Sequence, residues 1–394
     1  MSTSDLLITP TPSTQGSTAR DFELNLRILP ASARAEAMFL WRKLELALAS
    51  QQLTSSSVWT ETWLDHYGML IPHHFAVGTR EGSPCGIALV TEGVAQKAGP
   101  FSLSTRHLGT AGEPESDSVC IEYNSLLAAP DDQAPFLLAL WNWMHRSSRC
   151  DEIRLDGFEA STLEALTTGN SRIQIVRRPS HYYDLEPLRG TTDEPLARLG
   201  SHTRANIRRT LRELKETRGV WSETASQAEK LFHQMVVLHQ ARWNGVGKPG
   251  VYSSRRFHDF HLDLLHRAVP LGLMTMFGVT AGDRLIGCNQ LLIDNRRVLL
   301  YQCGRAEAAQ QRVSYGIALD YFAICEARHR GFDAVDFLAG TGEHKRRLST
   351  NQAEVAWVVW RRPNLKNFAI DTLRRLKRSS TKPEHTSQSS PVEE

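Results

Sequence analysis

The sequence predicts an α/β protein of two similar halves, each with a mixed, largely antiparallel sheet flanked by helices. Three observations predict it. Short apolar runs are joined by tight polar turns, as at REGSP (residues 80–84) and AGDR (residues 281–284), the pattern of antiparallel hairpins. The same order recurs in both halves: helices, hairpin strands, a further helix, then more strands. No GxGxxG follows a strand, which argues against a doubly wound dinucleotide-binding sheet.

Residues 1–22 are rich in Ser, Thr and Pro and lack the basic start and apolar core of a secretory signal. They are expected to be a disordered leader. The first domain is expected over 23–185. Apolar periodicity predicts helices at 34–50 and 58–67, the second with Trp63 facing inward. Strands are expected at 75–78 and 86–90, then a loop at 109–118 and a strand at 119–123. A helix at 135–144, a strand at 152–155, a short helix at 161–167 and a strand at 172–177 complete this half. The second domain, expected over 186–365, opens with a basic helix at 203–218 and helices at 225–242 and 256–268. Strands at 273–279, 285–293 and 297–303 lead to a long helix starting near Val313, and strands at 333–338 and 355–360 follow. Residues 366–394 read as a basic, then disordered, tail.

Composition narrows the class. A chain of 394 residues with 41% hydrophobic and 23% charged residues can bury a core without metals or disulfides. No apolar run is long enough to span a membrane. Cys85, Cys120, Cys150, Cys288, Cys303 and Cys325 are scattered, which fits reduced core cysteines in a cytoplasmic protein. With no HExxH and no paired cysteines, no metal is expected. A net charge of +3 names no DNA partner, but the charge is clustered. One basic run covers Arg198, Arg204, Arg208, Arg209, Arg212, Lys215 and Arg218, and another runs from Arg361 to Lys382.

The join between the apolar run Val298–Tyr301 and the helix containing Ser314 and Gly316 is the most informative feature. Unpaired amides and the dipole at a helix start suit a phosphate, and Gly316 would let it approach the backbone. An ordinary capped helix fits the same residues. On the basic helix Arg204, Arg208, Arg212 and Lys215 fall within about 80° of one another, beside an apolar face. That band could steer an anionic donor or acceptor, or be a solvated face with pairs such as Arg209–Glu213. Exposed aromatics, which single-stranded nucleic acid would use, are absent there.

Four segments carry a family resemblance. They are the pair Trp41-Arg42-Lys43-Leu44 and Val58-Trp59 to Leu64, the Arg-rich stretch Thr203 to Leu214, Leu238-His239 with Arg242-Trp243, and Tyr301-Gln302-Cys303-Gly304-Arg305 through Asp336-Phe337-Leu338-Ala339-Gly340 to Glu343 and Lys345. Over about residues 25–360 the chain resembles the CelD/BcsL-type acetyltransferases, whose domain is related to the Gcn5-type N-acetyltransferase fold and to the FemAB aminoacyltransferases. The resemblance implies tandem domains of that fold, and an acetyl or other acyl group taken from acyl-CoA. The acceptor would be the amine or hydroxyl of a small molecule, a sugar or sugar nucleotide in keeping with polysaccharide or cell-surface metabolism. Aminoacyl-tRNA as donor and a non-catalytic scaffold remain alternatives. The chain departs from the family at Glu343-His344-Lys345-Arg346-Arg347-Leu348, where an aromatic and an Arg-Trp pair are usual. The turn 305–311 also lacks the closely spaced glycines of the wider fold.

The resemblance places the donor pyrophosphate at Val313, Ser314, Tyr315 and Gly316, with Gln310 and Arg312 as side-chain helpers. Transfer needs a base, alignment and donors for a developing oxyanion. Glu343, in a Gly-rich turn after a strand, is the first expected base, with Asp336 and His239 as further candidates. Arg204, Arg208, Arg242, Trp243 and Lys345 are expected to hold the acceptor. Trp59, Trp63, Glu122, Tyr123 and Asp156 are expected to build one wall of a cleft between the halves.

Overall fold

The computed structural model describes residues 24–380 except 51, 120–121, 148–149, 168–171, 215 and 308–312. The first half runs β1 (Asn25–Pro30), α1 (Arg34–Leu48), α2 (Ser57–Tyr67), β2 (His73–Arg80), β3 (Ser83–Glu92), the small hairpin β4 (Gln96–Ala98) and β5 (Phe101–Leu103), and β6 (Thr105–Leu108). Then come β7 (Leu127–Ala128), α3 (Gln133–Ser147), β8 (Glu152–Glu159), α4 (Glu164–Thr167) and β9 (Ile173–Asp184). The second half follows with α5 (Ser201–Glu213), β10 (Thr217–Trp221), α6 (Ala225–Gly245), α7 (Arg255–Ala268), β11 (Met274–Ala281), β12 (Arg284–Asp294) and β13 (Arg297–Arg305). It ends with α8 (Tyr315–His329), β14 (Ala334–Ala339), α9 (Glu343–Leu348), β15 (Asn351–Arg361) and α10 (Leu365–Ser380).

The repeat is visible element by element. Setting aside β4, β5 and β7 in the first half and α5 at the start of the second, each half has a strand, two helices and three strands that lead to a helix, a strand parallel to the third of those three, a short helix and a final strand. The architecture is mixed, largely antiparallel α/β. The halves do not form separate sheets, however. Among the described residues one sheet of 13 strands runs β1-β2-β3-β6-β8-β15-β9-β14-β13-β12-β11-β10, with β7 on β3. The final strands are exchanged: β15 inserts between β8 and β9, and β9 pairs with β14. A boundary drawn at residue 185 therefore cuts through shared sheet partners. The packing is shared as well: Ala356, Val358 and Trp360 lie in the core built on α3, and α2 packs on α7 with Trp59 edge-on to Phe260 at 5.4 Å.

Several expected boundaries move for physical reasons. The basic helix stops at Glu213, because Glu216 takes a left-handed φ of 53° and 217–221 becomes edge strand β10. Of the strand expected at 119–123, residues 120–121 lie outside the described set. Val119, Glu122 and Tyr123 belong to no strand, and Tyr123 has φ 55°. The start of the basic tail is helix α10, while the expected disordered leader and the last residues, 381–394, lie outside the described residues. No described helix is long and apolar enough to cross a membrane.

Strand exchange has a testable consequence. A chain ended at residue 348 lacks β15, leaving β8 and β9 without their common neighbour and uncovering the core around Phe158 and Leu155. The full chain should melt in one transition, and the shortened chain should show no cooperative melting of either half by near-UV circular dichroism. An intact, independently melting first half would contradict the exchange.

Candidate active site

The parallel strands of each half separate after a few residues, and the two halves treat that opening differently. In the first half β6 and β8 pair from Thr105–Glu152 to Leu108–Leu155. Beyond them Asn124 fills the gap: its amide N–H donates to Gly157 O at 2.8 Å, and its side chain donates to Leu108 O and Asp156 O at 3.1 and 3.2 Å. In the second half β13 and β14 pair only over Arg297–Ala334, Val298–Val335 and Leu299–Asp336. Tyr301 is an extra residue in β13, skipped between the Gln290–Gln302 and Leu291–Leu300 pairs. The space that opens there is a cavity of about 90 Å³ lined by Asn289, Tyr301, Cys303, Asp320, Leu338 and Lys345 among others.

A much larger cleft, about 790 Å³, lies on the other side of the β14 end. Asp156, Trp357, Arg178 and Ala339 on β8, β15, β9 and β14 line it, so the exchanged strands form part of its wall. Lys97, Glu113, Glu122 and Arg154 line it too. The turn 338–340 separates the two spaces. Leu338 has φ 62° and Gly340 φ 150°, and a Cβ on Gly340 would sit 2.9 Å from Lys345 Nζ. Glu122 accepts the Ala339 N–H at 2.7 Å, and Lys345 Nζ donates to Ala339 O at 3.0 Å. One peptide segment is thus gripped by a carboxylate from the first half and a buried ammonium from the second.

Burial sets the acidities. It pushes the Glu122 carboxyl up to about 7 against the Ala339 amide, Lys345 and Arg178, which favour the charged form. Glu113 is also pushed up to about 7 by burial; one oxygen accepts the Val119 N–H at 2.9 Å and the other has no partner among the described residues. Asp320 is pushed up to about 6 by burial despite Asn289, Arg305 and Lys345, and the buried Asn289 Oδ1 also has no partner among the described residues. Arg178 lies over the Trp357 ring, 5.3 Å from its centroid.

The structure gathers His239, Trp243 and Lys345 around the small cavity, and Asp336 and the other predicted residues among those described lie elsewhere. Asp336 is fully buried and committed: Ser180 and Tyr123 hydroxyls donate at 2.7 Å, the Leu338 N–H at 2.8 Å, and Arg297 pairs with it. His239 accepts from the Trp243 indole at 2.9 Å and meets Gln240 at 3.1 Å, and burial pulls it down to about 4. Both nitrogens are used, so it is a neutral structural ring. Glu343 is half exposed at the start of α9, held by Arg346 at 2.5 Å and Arg347 at 2.9 Å and lowered by those bonds. It lines neither cavity. Arg242 is half-buried beside the Trp243 ring. Arg204 caps Leu199 O at 2.7 Å, and Arg208 is exposed on α5, away from both cavities.

At the α8 start, Ser314 Oγ caps the Ile317 N–H, and Val313 and Tyr315 are half-buried. A Cβ on Gly316 would lie 2.6 Å from Arg305 Nη1, so a guanidinium covers that helix end. Gln310 and Arg312 lie outside the described residues. Of the expected cleft wall, Glu122 and Asp156 line the cleft, whereas Trp59, Trp63 and Tyr123 are core. Glu113, Asp320, Asn289 and Arg178 escaped the sequence reading. Asn289 and Gln290 inside an otherwise apolar strand were the signal that could have found part of this set.

Behind the cavity a buried polar chain fixes β13. Tyr301 Oη donates to Val119 O, so its 3.3 Å contact requires His261 Nε2–H as donor. His261 Nδ1 then accepts from Gln290 at 3.1 Å, and Gln290 Oε1 accepts from Tyr252 at 2.7 Å.

The comparisons decide the fold of the second half. Residues 201–346 match the model of an acetyltransferase (GNAT) domain. The second half is GNAT-like. No curated protein sequence matches the chain. Among solved structures, FemX aligns over 84% of this chain and 96% of its own at 12% identity, with a TM-score of 0.51. The C-terminal domain of a putative lysylphosphatidylglycerol synthetase from Agrobacterium fabrum covers 87% and 96% at 9% identity, TM-score 0.51. L-PGS from Bacillus licheniformis covers 87% and 97% at 10% identity, TM-score 0.50. At these identities the likeness is one of fold, and it extends over both halves.

Two outcomes follow for the buried polar groups. Asp336→Asn removes the buried counter-charge of Arg297, leaving it Glu159 at 3.9 Å, and should lower stability by about 3–5 kcal/mol, read from the urea midpoint; an unchanged midpoint would remove the clamp. His261 is pulled down to about 3 by burial, so its contribution is complete above about pH 6.5 and is lost as pH falls toward 3. Stability curves of wild type and His261→Gln should therefore converge by roughly 1 kcal/mol per pH unit in that window. Parallel curves would show that the ring charges in the folded state.

Proposed function

We propose that this chain is an acyltransferase moving an acetyl or other acyl group from acyl-CoA to an amine or hydroxyl of a small, sugar-derived acceptor. The donor lies along the open β13/β14 gap and the acceptor in the large cleft. The observation that carries this reading is the 338–340 turn, which borders both spaces between Glu122 and Lys345. The donor end fits an anion: Arg305 lies over a 15-residue helix whose first amides face the same end as the dipole. Acyl-CoA supplies the thioester when bound.

The chain's own residues do the rest. Glu122 is poised near neutrality to take the acceptor's proton as its nitrogen or oxygen bonds to the acyl carbon. Lys345 keeps positive charge beside the Ala339 carbonyl, where negative charge grows on the acyl oxygen. Breaking the carbon–sulfur bond releases the thiolate, which takes up a proton. The plug of Asn124 in the first half leaves a single donor gap.

A second reading takes the acyl group from aminoacyl-tRNA, as the resemblance to the FemAB aminoacyltransferases implies. It is favoured by the exposed Arg208, Arg209 and Arg212 on α5, whose Thr210 reaches Ser314 N–H at the α8 start. Titration calorimetry with acetyl-CoA and with charged tRNA separates the two: tRNA binding with no acyl-CoA binding would move the donor to the second reading. With an acceptor found by mass-spectrometric screening of amines and sugars, Glu122→Gln should lower kcat by roughly 10²- to 10⁴-fold with donor affinity kept. It should also erase a pH–rate limb near 7. A kcat within a few-fold of wild type would exclude Glu122 as the base.

A further inference from the structure

Acyl transfer makes no use of α10, the basic helix that closes the described chain. Its inner side is anchored: Ile370 and Asn367 are buried, and Asn367 Nδ2 donates to Asp151 O and Arg362 O at 3.0 and 2.9 Å. Its other side shows Leu365 and Phe368, 88% and 72% exposed, with Leu373 half exposed. The same helix carries Lys366, Arg374, Arg375, Lys377 and Arg378 against the single acid Asp371. Large apolar side chains exposed on a helix whose sequence is strongly basic suit a partner that is at once oily and anionic.

We propose that α10 seats the protein on the surface of an anionic lipid bilayer, lying in the interface with Leu365 and Phe368 inserted among the acyl chains. Interfacial helices combine an apolar side with lysine and arginine in this way, and each basic residue near an anionic surface adds to the attraction. The other occupants fit less well. A nucleic acid matches the charge but has no use for Leu365, and one phenylalanine is a poor stacking platform. A second copy would bring two basic helices together. No described helix is long and apolar enough to cross a bilayer, and the contact proposed is a peripheral one.

The placement couples this surface to the cleft. Lys366 Nζ pairs with Asp151 at 2.5 Å and donates to Ser102 O at 2.9 Å, beside the β4–β5 hairpin. Gln96 and Lys97 of that hairpin line the large cleft. A docked α10 therefore holds the cleft next to the lipid headgroups.

The test uses the full chain and sedimentation with vesicles of phosphatidylcholine alone or with added phosphatidylglycerol. The protein should sediment with the anionic vesicles and not the neutral ones, and added salt should release it. Leu365→Glu/Phe368→Glu, on exposed positions that leave the melting temperature unchanged, should weaken binding about 100-fold. Failure to bind anionic vesicles, equal binding to neutral ones, or an undiminished double variant overturns the proposal. So does sedimentation-velocity dimerisation, or binding to a single-stranded RNA oligonucleotide, that the double variant abolishes while vesicle binding persists.

Discussion

The site depends on the buried carboxylate of Asp336. It joins four segments: Tyr123 and Ser180 from the first half, Arg297 on β13, and the Leu338 amide two residues ahead. Arg297 is itself sandwiched by rings, 4.8 Å from Tyr123 and 4.9 Å from Tyr182. A buried ion pair costs solvation on both sides, and only this full set of partners offsets it. The geometric consequence matters more than the energy. By accepting the Leu338 N–H, Asp336 holds that residue in its left-handed turn, which sends the Ala339 N–H to Glu122 and the Ala339 carbonyl to Lys345. A residue with the look of a catalytic acid is thus the one that aims the peptide held by Glu122 and Lys345.

Strand exchange explains why such a site sits between halves. Each half ends in a strand that completes the other's sheet, so β8, β15, β9 and β14 lie side by side and present Asp156, Trp357, Arg178 and Ala339 to one cleft. A short segment of the first half, Glu122 to Asn124, then does three things. Glu122 enters the site, Tyr123 supports Asp336, and Asn124 occupies the gap that its counterpart in the second half leaves open. The repeat has become a division of labour: a half with an open gap beside a helix start, and a half that supplies the carboxylate facing it.

Much of this fold was legible locally. Helices with strong apolar periodicity and hairpins with Gly or Asp turns report their structure through residues close in sequence, and α1, α2, α7, β11 and β12 lie within a few residues of expectation. The exchange was not legible, because β9 and β15 show the same alternation whichever neighbour they take. The same limit explains the site. Lys345 and Asp336 are carried by a local motif, but Glu122 reaches Ala339 across 217 residues and no spacing rule links them. Glu343 looked catalytic because it follows a Gly-rich turn. That turn starts α9, where Glu343 is drawn to Arg346 and Arg347 on the next turn of its own helix. Arg204 falls in a charged band of the sequence, whereas the carbonyls left bare before α5 claim it.

The buried groups around the site pull stability in opposite directions with pH. Glu113, Glu122 and Asp320 have carboxyls raised in the folded state, so what they contribute is present below about pH 4.5 and lost as pH rises through 6 to 7. His239 and His261 are lowered, and what they contribute is present above about pH 6.5 and lost toward 4 and 3. The two sets overlap between roughly pH 4.5 and 6.5, where one gains what the other loses. Across that range the raised carboxyls of Glu113, Glu122 and Asp320 are thus offset in part by the two lowered histidines. The neutral histidines fit this through geometry, because each is held in one tautomer by Trp243, Gln290 or Tyr301, which leaves the proposed base role to Glu122.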